Sequence, residues 1–247
     1  MKKRLKHSEK EEILRIVSEE NALEKTHYGS PLDGDRFVVV PSETDPERLD
    51  AFAALFFLGE TKDSLPVTEV MLFTDAAKRR RRIASELLKK IKKPGSVLKF
   101  AEYASASGDG FLKQAGAVHG YDELCMTRSL SDLCRKEKKS ADGADAVSFE
   151  KVPGDPGEET RRFYSRHSEL YVNRFGDGAY LFGVRTDRAH MREGHAKKLL
   201  SAVLLRLSEE GAKEVLLQVS GENVPAVRLY EKAGFAVSKR LGMWYLT

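Results

Sequence analysis

Apolar residues recur along this chain with strand-like spacing in some segments and with helical spacing in others. The second half of the chain shows both patterns most clearly. The apolar run AYLFGV (179–184) predicts a strand, and helical spacing of apolar residues through AKKLLSAVLLRLSEEG (196–211) predicts a helix ended by a glycine. EVLLQVS (214–220) predicts the next strand, NVPAVRLYEKAG (223–234) a second helix, and FAVSKRLGMWYL (235–246) a final strand or strand pair. This order of elements predicts an α/β unit.

The first half repeats the same order. PVTEVMLF (66–73) predicts a strand, IASELLKKIKK (83–93) a helix and VLKFAEYAS (97–105) another strand. A short helix in GFLKQAG (110–116) and a closing strand that reaches Leu130 complete this unit.

An internal duplication accounts for the repetition. When Thr74 is aligned with Thr186, an offset of 112 (186 − 74), seven of fifteen consecutive positions are identical without a gap. The identical pairs are Thr74/Thr186, Asp75/Asp187, Ala77/Ala189, Arg80/Arg192, Ala84/Ala196, Leu87/Leu199 and Leu88/Leu200. The alternative is that any two strand–turn–helix units share leucines on their apolar faces. The identical Thr-Asp pair and alanine lie in the turn and not on that face, so duplication is favoured.

A linker separates the two halves in the prediction. The stretch SDLCRKEKKSADGADA (131–146) is rich in charged and small residues and poor in large apolar residues. VSFEKV, which follows it, predicts the first strand of the second unit. We therefore predict domains at residues 1–132 and 146–247.

Composition and charge narrow the class of protein. The chain is 41% hydrophobic and 32% charged with a formal net charge of +4, which indicates a globular protein and does not by itself indicate nucleic acid. It lacks the run of about 18 apolar residues that a membrane span needs. No apolar stretch follows the basic start MKKRLKHSEKEE, so no secretory signal is expected. Cys125 and Cys134 lack metal-ligand spacing, so we expect a cytoplasmic location and no metal.

The turn from Met191 to Ala196 has the features of an anion site. A helix N-terminus presents unpaired backbone N–H groups, and a diphosphate can bind there if no side chain blocks it. Gly194 lacks a Cβ, Ala196 is small, and Arg192 and Lys197 can add charge-assisted contacts. Taken alone, the turn is equally well explained as an ordinary strand-to-helix loop.

The second helix of this half carries a further set of residues. Asn223 occupies a typical N-cap position, Pro225 suits the first turn and Gly234 suits the C-terminal cap. Helix structure alone explains those three residues. Tyr230 is either a core residue with a satisfied hydroxyl or a functional group.

Together these segments resemble the GCN5-related N-acetyltransferases (GNAT). That family has Arg/Gln-x-x-Gly-x-Gly/Ala at the opening of one helix and Asn-x-x-Ala-x-x-Leu-Tyr-x-x-x-Gly-Phe near the C-terminus. This chain has MREGHA and NVPAVRLYEKAGF in the same order. It departs from the pattern at Met191, where the family usually has Arg or Gln, and at Arg192, where the family often has Gly. The resemblance covers residues 147–247 well and 55–130 more weakly.

The resemblance implies a fold and a role for each matching residue. The fold would be α/β, with two tandem GNAT-like units, each a mixed, largely antiparallel sheet flanked by helices, and with the cofactor between two splayed strands. The strand at Val184, Arg185 and Thr186 would hydrogen-bond the pantetheine arm of acetyl-CoA, and Asn223 would contact that arm. Tyr230 would protonate the departing CoA thiolate as a general acid. The turn would hold the pyrophosphate through Arg192, Glu193, Gly194, His195, Ala196 and Lys197.

The same comparison predicts that the first half is a degenerate copy. Arg82 falls at the position of Gly194, where a side chain would crowd a diphosphate, and Leu112 replaces the phenol of Tyr230. The cations from Lys78 to Arg82 attract phosphates but have no interleaved aromatic residues. A solvated basic turn or an anion site is therefore favoured over nucleic-acid binding.

Other residues keep two interpretations. His190 and His195 flank the turn, where they could act as bases or contact phosphate, although such residues are more often surface side chains. His167 lies in a predicted amphipathic helix, ETRRFYSRHSELY, and is expected to be structural or exposed. Glu222 and Glu231 are available as a general base, and nothing singles out either.

Two features bear on the edges of the second unit. The segment Met243–Trp244–Tyr245 fits a terminal strand with one buried face better than it fits an acceptor pocket. Few residues separate VSFEKV from AYLFGV, so the second unit is expected to lack or shorten an early strand. The first half would then complete the sheet or the acceptor pocket of the second unit.

These observations predict an acetyl-CoA-dependent N-acetyltransferase that moves an acetyl group directly to an amine, in a small molecule or a peptide. A non-catalytic acyl-CoA-binding or regulatory protein is the alternative. No membrane or nucleic-acid partner is expected, and a homodimer is a candidate assembly. The sequence does not determine the acceptor, because specificity lies in loops that carry no recognisable pattern.

Overall fold

The computed structural model describes residues 1–103, 106–131, 147–153 and 159–247. They form two compact units: unit 1 comprises Met1–Tyr121 with Leu241–Thr247, and unit 2 comprises Asp122–Arg240. The predicted linker lies almost wholly outside the described residues. The predicted domain limits at 132 and 146 stay a prediction. The compact units differ from them in two ways: the chain from Asp122 onward belongs to unit 2, and the end of the last strand belongs to unit 1.

Unit 1 contains a mixed sheet with three helices among its described residues. Its elements are α1 (His7–Glu24), β1 (Arg36–Pro41), β2 (Leu49–Glu60), β3 (Pro66–Thr74), α2 (Ile83–Ile91), β4 (Val97–Tyr103) and α3 (Ala106–Gln114). β2 pairs antiparallel with both β1 and β3, and β3 pairs in parallel with β4. β4 pairs antiparallel with the end of β11 (Ala236–Leu246).

The core of unit 1 forms around the middle of β2, where five consecutive residues are buried, as in a central strand covered on both faces. Helix α2 adds Leu87, Leu88 and Ile91 to this core. Trp244 and Leu246 of β11 belong to the same cluster. Met243 and Trp244 are buried strand residues, so this segment forms a terminal strand as expected. The expectation of one buried face is wrong, because adjacent residues, which point to opposite faces of a strand, are both buried.

Unit 2 has the same mixed character. Its elements are β5 (Val118–Ser129, which begins in unit 1), β6 (Ser148–Val152), β7 (Glu159–Tyr164), β8 (Ser168–Phe175), β9 (Gly178–Thr186), α4 (His195–Glu209), β10 (Glu214–Ser220) and α5 (Val224–Lys232). β6 to β9 pair antiparallel in succession, β9 pairs in parallel with β10, and β10 pairs antiparallel with β5. The predicted α/β class, with mixed, largely antiparallel sheets flanked by helices, is confirmed.

The prediction of an amphipathic helix at ETRRFYSRHSELY is wrong, because this segment forms the hairpin β7–β8. Phe163 and Leu170 are fully buried and lie opposite each other across the hairpin, and burial alternates along β8. The apolar spacing of so short a segment fits a helix as well as a strand. Pairing with β6 and β9 decides in favour of strands. Of the two alternatives for the early part of unit 2, the absence of a strand is wrong, since β6, β7 and β8 all precede β9.

The two strand–turn–helix junctions share one backbone conformation, which supports the internal duplication. A short 3-10 turn precedes each helix. Left-handed residues occur at aligned positions, Arg80 (φ 63°) with Arg192 (φ 68°), and Arg82 (φ 62°) with Gly194 (φ 87°). Because left-handed φ is uncommon outside glycine, two such matches are unexpected for unrelated turns.

Candidate active site

The strands β9 and β10 separate at their carboxyl ends. Their parallel pairing joins residues 178–181 to 214–217, whereas β9 continues to Thr186 and β10 to Ser220. An unpaired strand edge offers backbone N–H and C=O groups to a ligand that lies alongside it. Val184, Arg185 and Thr186, the residues predicted to hold a pantetheine arm, lie on this length of β9.

A β-bulge marks the point where the strand pairing changes. The register between β8 and β9 shifts between Glu169 and Tyr171, and Gly183 opposite has φ 63°. A Cβ at position 183 would lie 2.9 Å from the Tyr171 ring. Both the conformation and the space therefore require glycine, and a bulge bends its strand.

Gly194 forms the N-cap of α4, with φ 87° and ψ 6°. A Cβ built there meets no heavy atom within 4 Å. The left-handed backbone therefore explains the glycine, and the space beside it is open to a ligand. No side chain caps the helix, so the first-turn amides at His195, Ala196 and Lys197 keep the donor capacity that attracts anions.

The charged side chains of this turn differ in their surroundings. Arg192 and Lys197 are exposed. The carboxylate of Glu193 lies 3.1 Å from Nδ1 of His190 and 3.0 Å from Nε2 of His195. Pairing with imidazoles restrains the one anionic side chain in the range 191–197, and Glu193 is left to contact a phosphate only through its backbone.

Helix α5 begins and ends as its sequence predicts. The Asn223 side chain accepts a hydrogen bond from the Ala226 N–H at 3.3 Å, which makes it the N-cap. At the other end, Gly234 has φ 82° and its N–H donates to Glu231, while the Phe235 N–H donates to Tyr230. These two bonds form a Schellman cap. The side-chain oxygen of Asn223 is thus committed to the helix, and its amide nitrogen is the group left for a cofactor.

Tyr230 lies in the last turns of α5 and is 7% exposed. Its ring packs edge-to-face on Phe235, with centroids 5.9 Å apart. Burial, with a smaller contribution from Tyr180, raises the pKa of the Tyr230 phenol to about 12. Among the described residues we find no hydrogen bond to its hydroxyl. A phenol of this kind stays protonated at neutral pH and retains a donor for a ligand.

Tyr180 of β9 is a neighbour that sequence reasoning missed. Burial raises the pKa of its phenol, and Cys125 and Glu123 of β5 raise that pKa further. Because Tyr180 contributes to the raised pKa of Tyr230, the phenols of β9 and α5 lie near each other. The only sequence signal was a tyrosine in an otherwise apolar strand.

The predicted site residues of unit 2 therefore gather by topology. β9 and β10 are parallel neighbours, so the helices that follow them both begin at the edge where the strands separate. The turn lies after β9, and Asn223 lies after β10. Glu222 and Glu231, the candidate bases, are both exposed, and the structure singles out neither.

The corresponding turn of unit 1 is held by helix α1. Arg79 pairs with Glu20 and, at 3.0 Å, with Glu24. Asp75, which begins the turn, accepts a 2.7 Å bond from Arg15. Acidic side chains of α1 thus lie against this turn and partly neutralise it.

No helix in the part of the chain that the structure describes combines the length and apolar character needed to cross a bilayer.

Comparison with known proteins agrees with this geometry. Residues 162–235 match the model of the Acetyltransferase (GNAT) family. The matched residues all lie within unit 2. The chain is 37% identical over 70 residues to the mycothiol acetyltransferase of Corynebacterium aurimucosum, a match that covers 28% of this chain and 22% of that protein. It is 39% identical over 59 residues to the [ribosomal protein bS18]-alanine N-acetyltransferase of Haemophilus ducreyi, covering 24% and 41% respectively.

Solved structures resemble most of the chain. A GCN5-related N-acetyltransferase from Sphaerobacter thermophilus superposes with a TM-score of 0.72 at 15% identity, covering 98% of this chain and 94% of that one. A tandem GNAT protein from the clavulanic acid biosynthesis pathway gives 0.57 at 14% identity, covering 82% and 80%. At these identities the likeness shows the fold. The chain spans only 22% and 41% of the two curated relatives.

Proposed function

We propose that unit 2 binds acetyl-CoA and transfers its acetyl group to an amine. The observation that carries this proposal is the open edge between β9 and β10, beside a helix whose N-cap is the unobstructed Gly194. The first-turn amides of α4 and the exposed side chains of Arg192 and Lys197 suit a diphosphate. The unpaired end of β9 suits the amide-bearing pantetheine arm.

In this proposal, direct transfer uses the residues as follows. β9 aligns the thioester so that an incoming amine attacks the carbonyl carbon. A C–N bond forms, the C–S bond breaks, and the amine proton passes to solvent or to a base. Tyr230 donates a hydrogen bond to the sulfur as negative charge develops on it.

The pKa of Tyr230 limits what this phenol does. A thiol has an ordinary pKa near 8.5, well below the value of about 12 for Tyr230. Complete proton transfer to the thiolate would therefore be uphill by roughly 4–5 kcal/mol. We propose that Tyr230 acts mainly by stabilising the thiolate through a hydrogen bond, with full protonation following release.

Unit 1 is proposed to be a degenerate copy that does not bind acyl-CoA. It keeps the left-handed backbone of the turn but has Arg82 at the position of Gly194 and the buried Leu112 in place of a phenol. Carboxylates of α1, Glu20 and Glu24, lie where they would repel a diphosphate. The same ion pairs reduce the cationic charge available for nucleic acid.

Two glycines at opposite ends of α4 provide a matched test. Gly194 (φ 87°) and Gly211 (φ 86°) both have open space around a built Cβ, so alanine at either costs about 1–2 kcal/mol in backbone strain. Calorimetry with acetyl-CoA should show binding weakened by roughly tenfold or more for Gly194→Ala, because a methyl group enters the diphosphate site. Gly211→Ala should bind as the parent does.

Equal binding by the two variants would contradict the proposed cofactor site. Release of CoA thiol with a panel of amines, including peptides with free N-termini, then tests transfer itself. Tight acetyl-CoA binding without thiol release across that panel would favour the regulatory alternative.

A further inference from the structure

Three histidines from separate segments of unit 2 converge beside the turn. His167 lies between β7 and β8, His190 ends the 3-10 turn, and His195 is the first residue of α4. One ring nitrogen from each lies within 4.8 Å of the others. The rings of His167 and His190 stack with centroids 3.7 Å apart, and His195 lies 4.9 Å from His167. All three residues are partly buried.

Each of these imidazole rings has a carboxylate within hydrogen-bonding distance of one of its nitrogens. Nδ1 of His167 lies 3.2 Å from Asp187, and Nδ1 of His190 lies 3.1 Å from Glu193. Nε2 of His195 lies 3.0 Å from the same Glu193 oxygen. A carboxylate on one ring nitrogen fixes the tautomer and makes the other nitrogen a stronger ligand, which is the outer-shell arrangement of many metal-binding histidines.

We propose that His167, His190 and His195 bind a first-row transition metal ion, of the class that zinc represents. Imidazole is the ligand that zinc, copper and nickel share. In a tetrahedral site with metal–nitrogen bonds of about 2.0–2.1 Å, ligand nitrogens are roughly 3.3 Å apart. The three nitrogens need to approach by at most about 1.5 Å, which side-chain rotation provides. A solvent molecule completes the coordination.

An ion at this position would affect the turn that begins α4. It would tie the β7–β8 connection to both ends of the turn that begins α4, and it would add positive charge next to those amides. Metal binding by these residues is measured without acyl-CoA, so it stands or fails separately from the proposed transferase activity.

The experiment uses the full chain without a histidine tag, freed of metal with a chelator. Calorimetry with Zn²⁺ and visible absorption with Co²⁺ report affinity, stoichiometry and coordination. The variants His167→Asn and His190→Asn remove one ligand each, and His167 lies outside the turn and its helix. His27→Asn, which alters an exposed histidine of unit 1, is the matched control.

We expect one ion per chain, an intense Co²⁺ band of tetrahedral type, and affinity lower by roughly tenfold or more in both ligand variants. The control should match the parent. Absence of stoichiometric binding, or equal affinity in His27→Asn and the ligand variants, would overturn the site. Thermal melting without metal establishes that each variant is folded, and Co²⁺ spectra of the parent report the coordination geometry without any substitution.

Discussion

Replacing Tyr230 with phenylalanine tests the chemistry most directly. The substitution removes one oxygen and keeps the ring against Phe235. Because no described residue hydrogen-bonds the Tyr230 hydroxyl, no protein hydrogen bond is lost, and we expect the folding stability to change little. Only an interaction with a ligand should be affected.

The magnitude follows from the kind of bond that is lost. A hydrogen bond to a charged group contributes about 1.5–3 kcal/mol. If that bond forms only as the thiolate develops, kcat should fall by roughly 10- to 150-fold while acetyl-CoA affinity stays the same. Since the pKa of Tyr230 is raised to about 12, its ionisation should not limit the rate between pH 6 and about 10.

The assay compares kcat from thiol release with the Kd of acetyl-CoA from calorimetry, for the parent and Tyr230→Phe. Tyr164→Phe makes the same chemical change on β7 and serves as the control. A kcat within a factor of about two of the parent, or a loss of affinity equal to the loss of kcat, would refute the proposed role.

Two further predictions concern unit 1. Arg82→Gly should raise the unfolding free energy by roughly 1 kcal/mol, because Arg82 has φ 62°, and it should create no acetyl-CoA site, since Glu20 and Glu24 remain beside the turn. Denaturant unfolding and calorimetry check both parts, and binding of a second acetyl-CoA would contradict the degenerate assignment. Glu102 accepts a 2.8 Å bond from the Tyr28 hydroxyl, and burial raises its pKa to about 7. A raised carboxyl pKa favours the folded state fully below pH 4.5, and this contribution is lost as pH rises through about 7. Glu102→Gln should therefore stabilise the protein at pH 8 by at most roughly 3 kcal/mol and have little effect near pH 4.5, so a pH-independent difference in Tm would be inconsistent with this reasoning.

Much of the candidate site was predictable because its features are local. A left-handed N-cap favours glycine whatever surrounds it, so Gly194 stood out in the sequence. Asn223 and Gly234 likewise mark the ends of one helix through hydrogen bonds to nearby residues. The internal duplication was visible because seven of fifteen aligned positions are identical through the turn and the start of the helix.

The sequence by itself determined the strand–turn–helix units, their caps and the fold class, because these depend on spacing within about one or two turns of chain. Tertiary structure decided that residues 159–175 form the hairpin β7–β8. The apolar spacing of this short segment fits a helix as well as a strand, and only pairing with β6 and β9 selects strands. It also decided that the end of β11 belongs to unit 1. Finally, it brought His167 to His190 and His195 across 23 and 28 residues (190 − 167 and 195 − 167), because pairing of β8 with β9 returns the chain to the turn.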